Sequence, residues 1–337
     1  MFSFIKNRKA FYVLALILIV ASLLAPWGLG VHQGIDMTGG IQIEYSAGKL
    51  SKNAILSKLK SGLVESVDAN LPKESSAIIT DKNIYGVSNQ NSFVVETGID
   101  EAVAKKADGT IDFEKIETAK NTFKEALLTE LQKIDPGITQ SKYVNIGASF
   151  GDYIKNSGYK SLIGVILAIS LYILYAFRGS IGGMVNWPFS VVTALTLFHD
   201  VVIAFGLYIL TSFFFPEFKI DTFFITAMLT VLGYSINDTI VVMDRIRSNL
   251  RDGHGSKKKG NLEAIIDTSI HDTVRRSIFT SVTVLFVLVA MFVFGPDSIR
   301  GFTLALMFGT VVGTYSSVFI ASPLLYDLIS LGKTSQK

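Results

Sequence analysis

No cysteine occurs in the 337 residues, which excludes disulfides, thiol catalysis and thiolate-bound metals. Histidine is nearly as scarce: His32, His199, His254 and His271 are the whole set. No two of them stand at a metal-ligand spacing, so no metal site is expected. Charge is also thin, at 18% of residues against 49% hydrophobic, and mean hydropathy is +0.44. That is too apolar for an ordinary soluble protein. The runs 161–177, 185–216 and 278–295 are almost bare of charge, while residues 31–155 hold many charged side chains. Within 31–157 there is no Ser/His/Asp set and no phosphate-cradling glycine loop. Covalent catalysis is therefore not expected, and recognition of a partner or an unfolded chain is the better reading.

What is present is a set of long apolar segments. Spans are expected near 10–29, 158–177, 185–210, 222–243, 278–295 and 301–325. Each can cross a hydrocarbon core of about 30 Å at about 1.5 Å per residue. The first could be a secretory signal, since Lys6, Arg8 and Lys9 precede it. Its length, the lack of a small-residue cleavage motif and the five spans that follow make it an anchor.

Six spans in alternation place Lys6, Arg8, Lys9, Arg178, the stretch 245–276 and Lys333 with Lys337 on one side. The stretch 245–276 carries Arg245, Arg247, Arg251, Lys257, Lys258, Lys259, Arg275 and Arg276. The positive-inside rule makes that side cytoplasmic, with both termini. The expected order is a first span with its cytoplasmic N-terminus (1–30), an extracytoplasmic domain (31–157), a five-helix membrane region (158–325) with a basic cytoplasmic loop at 245–276, and a cytoplasmic tail (326–337). The turns around Glu217–Asp221 and Pro296–Arg300 fall outside. The Lys257–Lys259 run reads as a solvated loop rather than a lipid or nucleic-acid site.

Within the outer domain, residues 39–45 alternate as a strand and 49–66 read as an amphipathic helix. Short β-like runs follow at 76–80, 84–88 and 92–96. A second helix is expected from Asp112 or Phe113 to Ile134, stopped by Pro136-Gly137, and a last strand at Tyr143–Ile146. The order β-α-β-β-(β)-α-β fits a ferredoxin-like α+β unit.

The informative residues are the few polar ones inside the spans, because a charge there is costly and usually functional. Asp238 has no ionisable neighbour between Asp221 and Asp244, and lies about 9 Å of helix inside Asp244. Loss of hydration favours the neutral acid and a nearby arginine the carboxylate, so a group between those influences can exchange a proton. Arg245, seven residues on, and Arg275 or Arg276 at the start of the fifth span are the candidate counter-charges. The other reading is a fixed Asp–Arg pair that only locks helices. His199-Asp200, in mid-span, is a second candidate for titration or for a structural interhelical bond. Asn237 and Ser235 are expected to bond the carboxylate or nearby backbone. Thr314, Ser316 and Ser317 with Gly309 and Gly313 mark a close helix seam.

These residues also carry a resemblance. The run Gly233-Tyr234-Ser235-Ile236-Asn237-Asp238-Thr239, continuing to Asp244-Arg245-Ile246-Arg247, resembles the fourth-span motif of the SecD/SecF family of export proteins. Gly34-Ile35-Asp36-Met37-Thr38-Gly39-Gly40 resembles the motif that the family places after its first span. His199-Asp200 matches its third-span pattern, Arg276 with Thr280-Ser281 the start of the fifth, and Gly313 through Ser316, Ser317 and Pro323 the close of the sixth. The resemblance implies six transmembrane helices forming one half of a resistance-nodulation-division-type bundle. It implies a separate SecD partner, association with the SecYEG channel and YajC, contact with membrane lipids and the translocating polypeptide, and a place in the bacterial inner membrane. It further implies no bound cofactor and no nucleic-acid partner. Drive would come from a transmembrane proton gradient, with sodium as the alternative ion, acting on late export after the SecA ATPase. Asp238 then matches the family's intramembrane carboxylate and Arg276 its partner, with Arg275 adjacent, while Arg245 and Arg247 match the Asp-Arg-Ile-Arg run. Two other functions fit the same bundle: a small-molecule or lipid exporter, and a non-catalytic assembly subunit.

Overall fold

The computed structural model describes residues 3–59, 62, 64–87, 90–106, 108–177, 187–255 and 262–334. Arg178, Lys257–Lys259 and Lys337, expected on the basic side, lie outside these residues. The chain divides into two compact units: Met1–His32 with Gly158–Phe218 and Phe223–Lys337, and Gln33–Ser157 with Lys219–Thr222.

The first unit is helical. It contains α1 (Arg8–Leu29), most of α7 (Ala148–Ala176), α8 (Trp187–Phe214), α9 (Thr222–Gly255), α10 (Leu262–Phe294), α11 (Arg300–Ser316) and α12 (Ser322–Thr334). Among the described residues six helical stretches are long and apolar enough to cross a membrane. The sixth is a continuous run from α11 into α12 through a π turn at Ser317–Ala321. Pro323 lacks the N–H that would close the preceding turn, and a widened turn just before it absorbs that loss. Ser322 Oγ, donating to the Ser317 carbonyl at 3.0 Å, spans the same turn.

The expected basic loop at 245–276 is largely helix instead. α9 runs on to Gly255 and α10 begins at Leu262. Ile246, Leu250, Ile266 and Ile270 recur at helical spacing and bury together, so an amphipathic pair forms where hydropathy alone sees only charge.

Small residues bring helices together. A methyl on Gly206 of α8 would overlap Ser22 of α1, and one on Gly309 of α11 would overlap Val231 of α9. One turn on, a Cβ at Gly313 would lie 2.9 Å from that of Ser235. The pair Gly309/Gly313 thus faces the pair Val231/Ser235 along one seam. Gly309→Leu is expected to destabilise the bundle by about 2 kcal/mol or more through overpacking. A lower thermal midpoint of the purified chain in detergent would report it, and an unchanged midpoint would show that the seam can open without cost.

The second unit carries α2 (Ile35–Thr38), β1 (Gly40–Ser46), α3 (Lys52–Lys58), α4 (Val64–Asn70), α5 (Lys73–Ile78), β2 (Ile79–Gly86), β3 (Ser92–Ile99), α6 (Phe113–Ile134) and β4 (Thr139–Ile146). The open four-stranded sheet has the order β2-β3-β1-β4, every pair antiparallel. Ile41, Ile43 and Tyr45 of β1 alternate into the core against Ile116, Phe123, Leu127 and Leu131 of α6. Asp112 caps α6 by accepting from Lys115 N at 3.2 Å. Asp135 follows its last turn and accepts from Leu50 N (2.8 Å) and Gly137 N (3.0 Å). Those N–H groups hold its carboxyl below the usual carboxylate range.

Three local expectations change. The helix expected over 49–66 is broken into α3 and α4, with Gly62 between them at φ 120, a backbone that side-chain-bearing residues rarely adopt. Residues 73–78, partly read as a strand, form α5, which starts directly after Pro72. The rest of the run at 76–80 and residues 84–86 of the run at 84–88 join in the single strand β2, whose register shifts between Thr80 and Asn83, while residue 88 lies outside the described residues.

Candidate functional site

Helical periodicity sorts the polar residues of α9 onto two faces. Ser235, Asp238 and Thr239 are buried, and Asp238 is only 4% exposed. Gly233 and Asn237 are exposed, on the face of α9 away from the buried Asp238. α8 is buried along most of its length and presents His199 and Asp200 inward.

Asp200 is fully enclosed and held from three helices. Ser235 of α9 donates to Oδ2, as does Ser316 of α11 at 2.9 Å. His199 Nδ1 lies 2.8 Å from Oδ1, and a donor on Nδ1 is what a carboxylate oxygen requires. His199 Nε2 and the Tyr315 hydroxyl are buried with no hydrogen-bond partner among the described residues. Their rings stand 6.0 Å apart.

Asp238 lies at the junction of α9, α10 and α11 and is held far more loosely. Ser281 Oγ reaches its Oδ2 at 3.4 Å. The same hydroxyl accepts from Tyr234 at 3.0 Å and bonds Thr314 Oγ1, which makes Ser281 the hub of this junction. The two carboxylates therefore lie one turn apart along α9, Asp238 on the helix itself and Asp200 reaching it from α8 through Ser235. They are linked through Ser235, one turn from Asp238, and through Thr314 and Ser316, two residues apart on α11.

The arginines divide otherwise than their spacing suggests. Arg245 pairs with Asp272 of α10 at 2.6 Å. Arg247 stacks over Phe177 at 5.4 Å and Arg275 over Phe279 at 5.2 Å. Arg276 is exposed on α10, one residue before the buried Ser277. Among the described residues no basic nitrogen comes within ion-pair distance of Asp238, so a locked Asp–Arg pair is absent from this arrangement. Thr280 bonds the Arg276 carbonyl, Thr239 the Ser235 carbonyl and Ser317 the Thr314 carbonyl, each one turn back. Asp244 is exposed beside Arg245. Thr314 was read only as a seam residue, and nothing in the sequence linked Asp272 to Arg245, because the pair joins two helices.

The family model described as protein export membrane protein SecD/SecF, C-terminal, matches residues 126–331. The chain belongs to the SecD/SecF family. Among its SecD/SecF relatives is a protein translocase subunit SecF of Rhodothermus marinus, 32% identical over 97% of this chain and 93% of that one. Another is the protein translocase subunit SecF of Sebaldella termitidis, 33% identical over 96% and 90%. The crystal structure of SecDF from Thermus thermophilus, a translocon-associated membrane protein, superposes with a TM-score of 0.69 at 24% identity. That match covers 98% of this chain and 39% of that one, so the shared feature is the fold.

Proposed function

We propose that the chain works as the SecF-type subunit of a bacterial protein translocase, pairing with SecD and coupling an ion gradient to late steps of polypeptide export through SecYEG. The observation that carries this reading is Asp238: a carboxylate buried in a membrane helix and held by the Ser281 hydroxyl rather than by a fixed ion pair. A buried acid bound so loosely can gain and lose a proton without breaking the bundle. Arg276, at the start of the fifth span on the neighbouring helix α10, is the candidate charge that responds to its state. At roughly 150–200 mV, one proton delivers about 3.5–4.6 kcal/mol, enough to bias a conformational equilibrium of a few kcal/mol.

SecD as the partner is supported by the exposed face of α9 and α10. It carries Gly233, Asn237, Arg276 and Thr283 among exposed apolar residues such as Phe279 and Phe286, and polar side chains on a membrane-facing surface are better placed against another helix bundle than against lipid. The second unit is read as ferredoxin-like on its strand order β2-β3-β1-β4, with helices joining β1 to β2 and β3 to β4. The orientation follows from the basic segments: both termini cytoplasmic, and residues 31–157 outside the inner membrane. The outer unit meets the emerging polypeptide, YajC joins the same assembly, and no covalent chemistry is involved.

The reading is tested in inverted membrane vesicles with and without the chain, following completion of export with the proton or sodium gradient intact or collapsed. Export stimulated by one gradient only when the chain is present supports it and identifies the ion. Equal dependence on the chain under both conditions would instead make it an assembly subunit, and gradient-driven efflux of a dye or lipid without SecYEG would make it an exporter.

A further inference from the structure

The four residues Lys219–Thr222 lead from the end of the α8–α9 turn into the first residue of α9, yet they pack with the unit that contains the sheet. Ile220 forms a parallel bridge with Gln33, and its carbonyl accepts from Gly34 N at 2.9 Å. Thr222 N, at the first residue of α9, donates to Asp36 Oδ2 at 3.4 Å. A Cβ on Gly34 would come within 3.0 Å of the Asp221 Cβ. The Gly34-Ile35-Asp36 part of the motif after the first span thereby acquires a physical role. It seats this segment, and glycine at 34 permits the close approach.

The strongest feature of the seat is a buried ion pair. Lys219 Nζ meets Glu96 Oε2, with the side chains 6% and 8% exposed. Glu96 lies on the sheet face opposite α6. There it accepts from Tyr85 Oη and from Gln42 Nε2 at 3.0 Å, and Gln42 is its neighbour across the β1–β3 ladder. Lys219 Nζ also stands 4.8 Å from the centre of the Tyr85 ring. Burial pulls the Lys219 ammonium down to about 8, with the Asp221 charge acting the other way, so at neutral pH the ammonium is charged. Taking two charges out of water is expensive, and simple closure of a short turn between helices does not require it.

We propose that the Lys219–Glu96 pair is a clasp tying the start of α9, the helix that carries Asp238, to the sheet of the extramembrane unit. Only Ile220 and Asp221 separate Lys219 from Thr222, the first residue of α9. The segment has little slack, and a displacement of α9 reaches β3 through Glu96 instead of being absorbed in the turn. The inference rests on the gradient-coupled reading above and names Lys219 and Glu96 as positioning residues for it.

The test uses the full chain with its translocase partners in inverted vesicles. Lys219→Met and Glu96→Gln are each expected to lower gradient-stimulated export about tenfold, at unchanged complex level and unchanged gradient-independent export. In the same variants the Gly34 amide should exchange about 100-fold faster. Because the chain has no native cysteine, Gln33→Cys with Ile220→Cys can be oxidised to a disulfide across the paired positions. In the Lys219→Met background oxidation should restore stimulation, and reduction should remove it again. The clasp is overturned if the single variants keep full stimulation although Gly34 exchange shows the seat open, or if the cross-link forms and stimulation stays lost. If wild type itself shows no gradient stimulation, the functional reading fails first and the clasp with it. A cross-link that protects Gly34 would then still report the seat as a structural feature only.

Discussion

Replacing Asp238 by Asn is expected to abolish most of the gradient-stimulated part of export while leaving the assembled complex intact. Asn keeps the size of the side chain and an oxygen that can accept from Ser281, whose hydroxyl also serves Tyr234 and Thr314. The junction of α9, α10 and α11 therefore retains its bonds. What is lost is the ability to bind and release a proton, and with it about 3.5–4.6 kcal/mol per translocated charge. At about 1.4 kcal/mol per factor of ten, that is an upper limit of a few hundred- to a few thousand-fold in conformational bias. A drop of at least about tenfold in the stimulated rate is the corresponding expectation. Export by the variant that equals wild type, and that responds equally to collapse of the gradient, would assign Asp238 a structural role.

Asp200 is expected to behave differently, because its carboxylate organises donors from three helices. Asp200→Leu leaves the Ser235 and Ser316 hydroxyls and the His199 Nδ1 donor buried without their acceptor. Orphaned buried polar groups cost about 1–3 kcal/mol each, and the total here is expected at about 3–5 kcal/mol. The thermal midpoint of the purified chain in detergent should fall by roughly 5–10 °C. Asp200→Asn, which keeps one acceptor oxygen, should fall less. Adding Ser235→Ala and Ser316→Ala to Asp200→Leu should recover part of the loss, since two of the three orphaned groups are then removed and only the His199 Nδ1 donor stays without its acceptor. A fall in the triple variant equal to the sum of the separate changes would show that the three groups do not act as a unit. Comparing Asp238→Asn with Asp200→Asn for export and stability in parallel separates the coupling group from the organising one.

The placement of Asp238 and Asp200 was legible in the chain because each interrupts an otherwise uncharged run, and burying an ionisable group in a membrane helix needs a reason. The Gly309/Gly313 seam was legible for a similar reason, since small residues four apart line one face of a helix. The arginines were not. Arg245 stands seven residues from Asp238 and so falls on the same side of an ideal helix, but its long side chain turns to Asp272, 27 residues away in sequence. Spacing along one helix fixes direction, not the choice among acids brought near by other helices. The break at Gly62 was missed because apolar periodicity continues across it from Ile55 and Leu59 to Val67, while the backbone there takes a positive φ.

By itself the sequence determined that there are six apolar spans, that an α/β unit lies between the first and the second, and which carboxylates sit inside the bundle. These depend on local quantities: hydropathy over a helix length, periodicity, and the cost of an isolated charge. Only the tertiary structure decided that Arg245 serves Asp272, that Ser235 belongs to Asp200 rather than Asp238, that Ser281 joins three helices, and that Lys219 is buried against Glu96 of a distant strand. Each of these is a pairing between side chains far apart in the chain. Its energy exists only after helices and strands have packed at particular rotations and registers, and local pattern carries no record of those.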